Sequence, residues 1–166
     1  MMILDPNTVQ ILFADLQPQI VARSETNTPD ALARSAAVLA RVARLLRLPM
    51  YLSVVPEGGQ PPELIPELAR ETEGVAQYLR LSASPFLDEA TRAAIAATGR
   101  QHLVIAGFAT EAVVLHAVRD AIAAGYQVYV PADACGGMSS RTEDAAFRQI
   151  EAAGGVTTSS SRWSRR

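Results

Sequence analysis

The sequence predicts a three-layer α/β/α sandwich with a mainly parallel sheet, and three observations carry that expectation. Short runs rich in β-branched and aromatic residues alternate with longer stretches whose apolar residues recur at spacings of three and four. The intervening helices, about ten residues or longer, are long enough for right-handed crossovers between parallel strands. Residues 11–13 and 103–105 are apolar at every position, as strands covered by helices on both faces must be.

Residues 9–15 (V-Q-I-L-F-A-D) read as a strand with a carboxylate at its carboxyl end. Thr28-Pro29-Asp30 then offers an N-cap, a proline at the first helical position and an acid in the first turn. Leu32, Ala36, Leu39, Val42, Ala43 and Leu46 continue from it as one apolar stripe, which Leu48-Pro49 stops. Residues 50–55 form a second strand. The Pro- and Gly-rich stretch 56–62 is either a functional loop or a plain surface connection. A short helix over 63–70 and a weak strand over 75–79 follow. Residues 88–98 are helical, with Gly99 as the residue past the helix end. Strand 102–106, helix 110–124 stopped by Gly125, strand 127–131, helix 141–153 and strand 156–159 complete the pattern. The whole chain, 1–166, reads as a single domain in which 157–166 (T-T-S-S-S-R-W-S-R-R), lacking any apolar period, is an irregular tail.

Composition narrows the function. With 49% hydrophobic and 19% charged residues, a chain of 166 residues can bury a core without staples. A formal net charge of -2 gives no support to nucleic-acid binding, which needs a concentrated basic face. No apolar run approaches the roughly 20 residues that span a bilayer. No secretion signal is visible, so a cytoplasmic location is expected. One cysteine, Cys135, can form neither an internal disulfide nor a metal cluster. Ligands of a parallel sheet bind at the carboxyl ends of its strands. That rule marks Asp15, 54–56, Arg80, 107–110 and 133–136 as the rim of a crevice.

Three segments resemble the isochorismatase-like (cysteine hydrolase) family. Residues 11–17 (I-L-F-A-D-L-Q) are similar to its strand ending in Asp, an apolar residue and Gln. Residues 80–86 (R-L-S-A-S-P-F) resemble its lysine-containing segment. Residues 103–134, with G-F-A-T, the helix T-E-A-V-V-L-H, then G-Y and D-A, resemble its Gly-X-X-Thr turn and nucleophile-bearing helix. The resemblance implies catalytic roles at Asp15, Arg80 and Val113, with Arg80 in place of the family's lysine and Val113 in place of its cysteine. It also implies a non-proline cis peptide at Phe108–Ala109 and substrate contacts from Gln17, Phe108, Ala109 and Thr110. His116, one turn past Val113, faces either the site or an interface. A homo-oligomer assembled beside the site is implied too; the apolar Val114, Leu115 and Val118 agree with that and are explained equally by core packing.

The altered positions decide which chemistry is open. Valine carries no nucleophilic atom, so covalent thiol catalysis at position 113 is excluded. A guanidinium stays protonated and binds carboxylates in a fork, so Arg80 either grips a substrate anion or forms a structural pair with Asp15. Isochorismatases also lack the cysteine and use the aspartate as a proton donor. Asp15 can serve similarly if its pocket raises its pKa toward neutrality. Cys135, after a strand and without a partnering histidine motif, reads as a packed structural thiol. The region Gln17-Pro18-Gln19-Ile20 lacks the metal ligands of the nicotinamidase branch, so no metal and no cofactor are expected. The sequence therefore points to a hydrolase-like protein that acts on or binds a small carboxylate or amide metabolite. Its alternative is a catalytically inactive family member that serves as a binding or scaffold subunit.

Overall fold

A computed structural model of the protein describes residues 5–164. Strands β1 (Val9–Ala14), β2 (Met50–Val54), β3 (Gln77–Leu79), β4 (His102–Phe108), β5 (Gln127–Pro131), β6 (Cys135–Gly136) and β7 (Val156–Thr158) make one sheet. Its order is β3-β2-β1-β4-β5-β7, with β6 pairing on β4, and every pairing is parallel. Helices α1 (Pro18–Val21), α2 (Pro29–Leu45), α3 (Pro66–Glu71), α4 (Glu89–Ala97), α5 (Leu115–Ala123), α6 (Ser140–Ala152) and α7 (Ser161–Ser164) connect and flank it. None of the described helices is long and apolar enough to cross a membrane.

The pleat of β1 divides the core in two. Ile11 and Phe13 pack with Leu32, Ala36 and Leu39 of α2 on one face. Leu12 and Ala14 pack with Val118 and Ala121 of α5 and Ile150 of α6 on the other. Each buried leucine or isoleucine in these layers contributes about 1.5–3 kcal/mol of transfer free energy.

Helix α2 starts as its residues dictate, with the Thr28 hydroxyl accepting from Ala31 N–H at 3.2 Å. Its buried stripe is Leu32, Ala33, Ala36, Leu39, Ala40 and Ala43. Leu46, expected on that stripe, is 47% exposed, because the helix ends at Leu45 and the chain reverses through Arg47 at φ 54°. Strand β4 runs two residues past its expected end, since β6 pairs with Gly107 and Phe108. The helix expected over 110–124 opens instead as a wide turn at Thr110–Val114, with Val114 N–H reaching Ala109 O at 3.3 Å. Helix α1, over Pro18–Val21, was not anticipated.

The stretch 157–166 differs from the irregular tail expected of it. Val156–Thr158 pairs with β5, and Ser161–Ser164 forms a helical turn. Between them Asp133 accepts from both Ser160 N–H (2.7 Å) and its hydroxyl (2.5 Å), an anchor that compensates for the missing apolar period. The last two tail positions, 165–166, lie outside the described residues.

Candidate active site at the carboxyl ends of the strands

Adjacent strand ends deliver the central pair. Asp15 follows β1 directly in a left-handed backbone conformation (φ 58°), which aspartate tolerates better than most residues. Its N–H donates to Ser53 O at 3.0 Å, carrying the β1–β2 ladder one step beyond the strand. Arg80 follows β3, its N–H donating to Val54 O at 3.0 Å. The two side chains meet in a fork, Nη1 to Oδ1 at 2.8 Å and Nη2 to Oδ2 at 2.7 Å, with both side chains largely buried. The Nε of Arg80 is buried without a hydrogen-bond partner.

Burial governs the electrostatics of this pair. Removal from water pushes the Asp15 carboxyl up to about 6, against the downward pull of the Arg80 guanidinium. Burial lowers the pKa of Arg80 as well, opposed by Asp15 and by Asp88. Asp15 is therefore ionised and paired at neutral pH but takes up a proton in mildly acid solution.

Strand β4 supplies the opposite wall. Its end leads through a cis Phe108–Ala109 peptide into the wide turn, which presents Val113 to the same space. A cavity of about 420 Å³, within the range of small-molecule sites, joins Asp15, Arg80, Phe108, Ala109, Val113 and His116. Two expected contacts are corrected. Gln17 and Thr110 do not line this cavity, because their side chains are used elsewhere. The Gln17 amide accepts from Val55 N–H at 2.8 Å and donates to Val55 O at 3.0 Å, tying the ends of β1 and β2 together. The Thr110 hydroxyl contacts Gly136 O (3.0 Å) and Glu143 Oε1 (2.7 Å). Arg80 gripping a substrate anion is also not what the geometry provides, since both of its terminal nitrogens are bonded to Asp15.

Sequence reading missed Arg23, Glu111 and Met138, which also line the cavity. They arrive on segments stitched across the crevice: Glu25 N–H donates to Gly137 O, and Gly137 N–H to Thr26 Oγ1, both at 2.9 Å. Glu111 Oε1 accepts from Met138 N–H at 2.7 Å and Thr142 Oγ1 at 2.8 Å. Cys135 is fully buried in β6, and burial pushes its thiol up to about 12, so it offers no thiolate near neutrality. His102 sits at the far end of β4, its Nδ1 2.8 Å from Thr8 Oγ1.

The parallel fold and the cavity at its strand ends define an α/β protein with a small-molecule-sized site at the carboxyl edge of its sheet. The isochorismatase domain matches residues 9–162, and the chain belongs to that family. It is 30% identical over 154 residues to "Probable hydrolase YcaC" of Escherichia coli strain K12, covering 91% of this chain and 73% of that protein. YcaC of Pseudomonas aeruginosa, solved with hexane-2,5-diol and covalent acrylamide, superposes with a TM-score of 0.90 at 29% identity. That match covers 97% of this chain and 80% of the other. The crystal structure of the Escherichia coli YcaC gene product, described as an octameric hydrolase of unknown specificity, gives a TM-score of 0.88 at 28% identity. There the coverage is 94% of this chain and 77% of that one.

Proposed function

We propose that this protein is an isochorismatase-family hydrolase that acts on a small carboxylate or amide metabolite by acid catalysis at Asp15, without a thiol nucleophile. The observation that carries the reading is a desolvated carboxyl at the cavity wall whose pKa is pushed up to about 6. A carboxylic acid with that pKa is a competent proton donor near its own titration point. Among the described lining residues there is no cysteine, serine, threonine or lysine, which supports a route without a thiol, hydroxyl or amine nucleophile. Arg80 then acts as a positioning residue, since its fork fixes the plane of the Asp15 carboxyl and stabilises the carboxylate left after proton transfer. His116 and the chain at Phe108–Ala109 lie where a bound ligand would touch them.

The test is turnover of isochorismate and a panel of simple amides, followed across pH. The neutral form of Asp15 is the donor, so kcat/KM should be highest below about 6 and fall as pH rises through that value. Asp15→Asn, confirmed folded by circular dichroism, should lose the activity at every pH. Activity that persists in Asp15→Asn, or that rises with pH through the same range, rejects acid catalysis by Asp15.

One observation favours a second reading, that of a binding subunit without turnover. Both carboxylate oxygens and both terminal guanidinium nitrogens are consumed by each other. A pair that stays closed while ligand binds would give saturable binding and no product. We further propose that the chain self-associates through apolar surface it leaves exposed, a reading supported by its likeness to the octameric YcaC.

A further inference from the structure

We infer that Arg23 is the residue that reads negative charge in this cavity, selecting a small carboxylate over the matching amide. This rests on the cavity being the substrate site and assigns its ligand class.

Two guanidinium groups line the cavity, and they stand in different states. Arg80 is neutralised by Asp15 through both terminal nitrogens. Arg23 follows α1, its backbone held by Ile20 O at 3.1 Å, while its side chain is exposed at the cavity. That side chain touches Met138 Sδ at 4.0 Å and forms no ion pair with any described residue. Glu111, the remaining carboxylate of the lining, does not serve it. One Glu111 oxygen is bonded to Met138 N–H and Thr142, and the other is buried without a hydrogen-bond partner, away from Arg23. The cavity thus keeps one cation free for a ligand.

The opposite wall is the wide turn at Thr110–Val114, whose Ala112 N–H and Val114 N–H are both bonded to Ala109 O, so the charge available to a ligand there is that of Arg23. Ile20, Val55 and Phe108 give the remaining lining an apolar character suited to a small hydrocarbon body. An anion at Arg23 receives charge-assisted hydrogen bonds that an uncharged amide cannot match.

Calorimetric titration of benzoate against benzamide, and of 2-methylpropanoate against 2-methylpropanamide, tests this directly. The parent protein should bind each acid more tightly than its amide. Arg23→Gln should weaken acid binding about tenfold or more while leaving amide binding unchanged, and Arg23→Lys should retain part of the preference. Arg23 is exposed, so these variants should fold as the parent does. Equal binding of acid and amide by the parent, or acid binding unchanged in Arg23→Gln, overturns the assignment. The readout is binding, so it is independent of acid catalysis. A parent that prefers the acid but turns nothing over rejects only the role of Asp15, and a parent that turns substrate over but binds acid and amide equally rejects only that of Arg23.

Discussion

Asp15 and Arg80 are unequal partners, and the inequality makes a measurable prediction. A carboxyl pushed up to about 6 can shed its charge by binding a proton when its partner is lost. A guanidinium cannot shed its charge at any ordinary pH. Asp15→Asn keeps the left-handed backbone that asparagine also tolerates, yet it strands a buried cation. It should cost about 3–5 kcal/mol in urea unfolding. Arg80→Met should cost less when both are measured at pH 5.5, because Asp15 protonates. The double variant should recover much of the Asp15→Asn loss, since it leaves no unpaired charge. Additive losses in that cycle would show that the two side chains stand apart in solution.

At the scale of elements, the site depends on how closely β1 and β4 run. Ala14 and Gly107 are register partners, and a Cβ on Gly107 would lie 2.2 Å from Ala14 O. Only glycine lets the strands reach their ends together and present Asp15 beside the Phe108–Ala109 turn. Gly107→Ala should therefore destabilise the fold by about 1–3 kcal/mol or more, seen as a lower thermal midpoint, and disturb the cavity as well. An unchanged midpoint would mean that the strands spread at no cost. The strands themselves were legible because apolar runs such as 11–13 can only be buried on both faces, and α2 because Thr28 and Pro29 spell its start. Asp15, Arg80 and Val113 were placed by resemblance to the family, and they do share one cavity. The wide turn at Thr110–Val114 was not legible, since its sequence is compatible with an ordinary helical turn. Nor were Arg23 and Met138, which reach the cavity through hydrogen bonds between residues more than a hundred positions apart. No local periodicity encodes such contacts.

For the molecule as a whole, the question is which apolar surface is left for a second copy. Val114, Leu115 and Val118, which the sequence leaves open between assembly and core packing, are buried in the chain's own core, where α5 covers the sheet. They therefore offer nothing to a partner. Exposed apolar side chains lie elsewhere, at the end of α2 (Leu45, Leu46) and in the segment from β3 onward: Leu79 at 55%, Leu81, the most exposed of them, at 90% and Leu87 at 65%. Strand β3 ends the sheet, and an edge strand next to exposed leucines is a ready site for self-association. The same segment carries Arg80 and leads to Ala83, which lines the cavity, so assembly here would also stiffen the site wall. Leu81→Lys places a charge where a second copy would bury a leucine, without touching the core. By light scattering coupled to size exclusion, the parent should run as a multimer and Leu81→Lys as a smaller species with an unchanged fold. A Leu81→Lys protein of the same mass as the parent would place the interface away from β3, whereas a monomeric parent would remove self-association altogether.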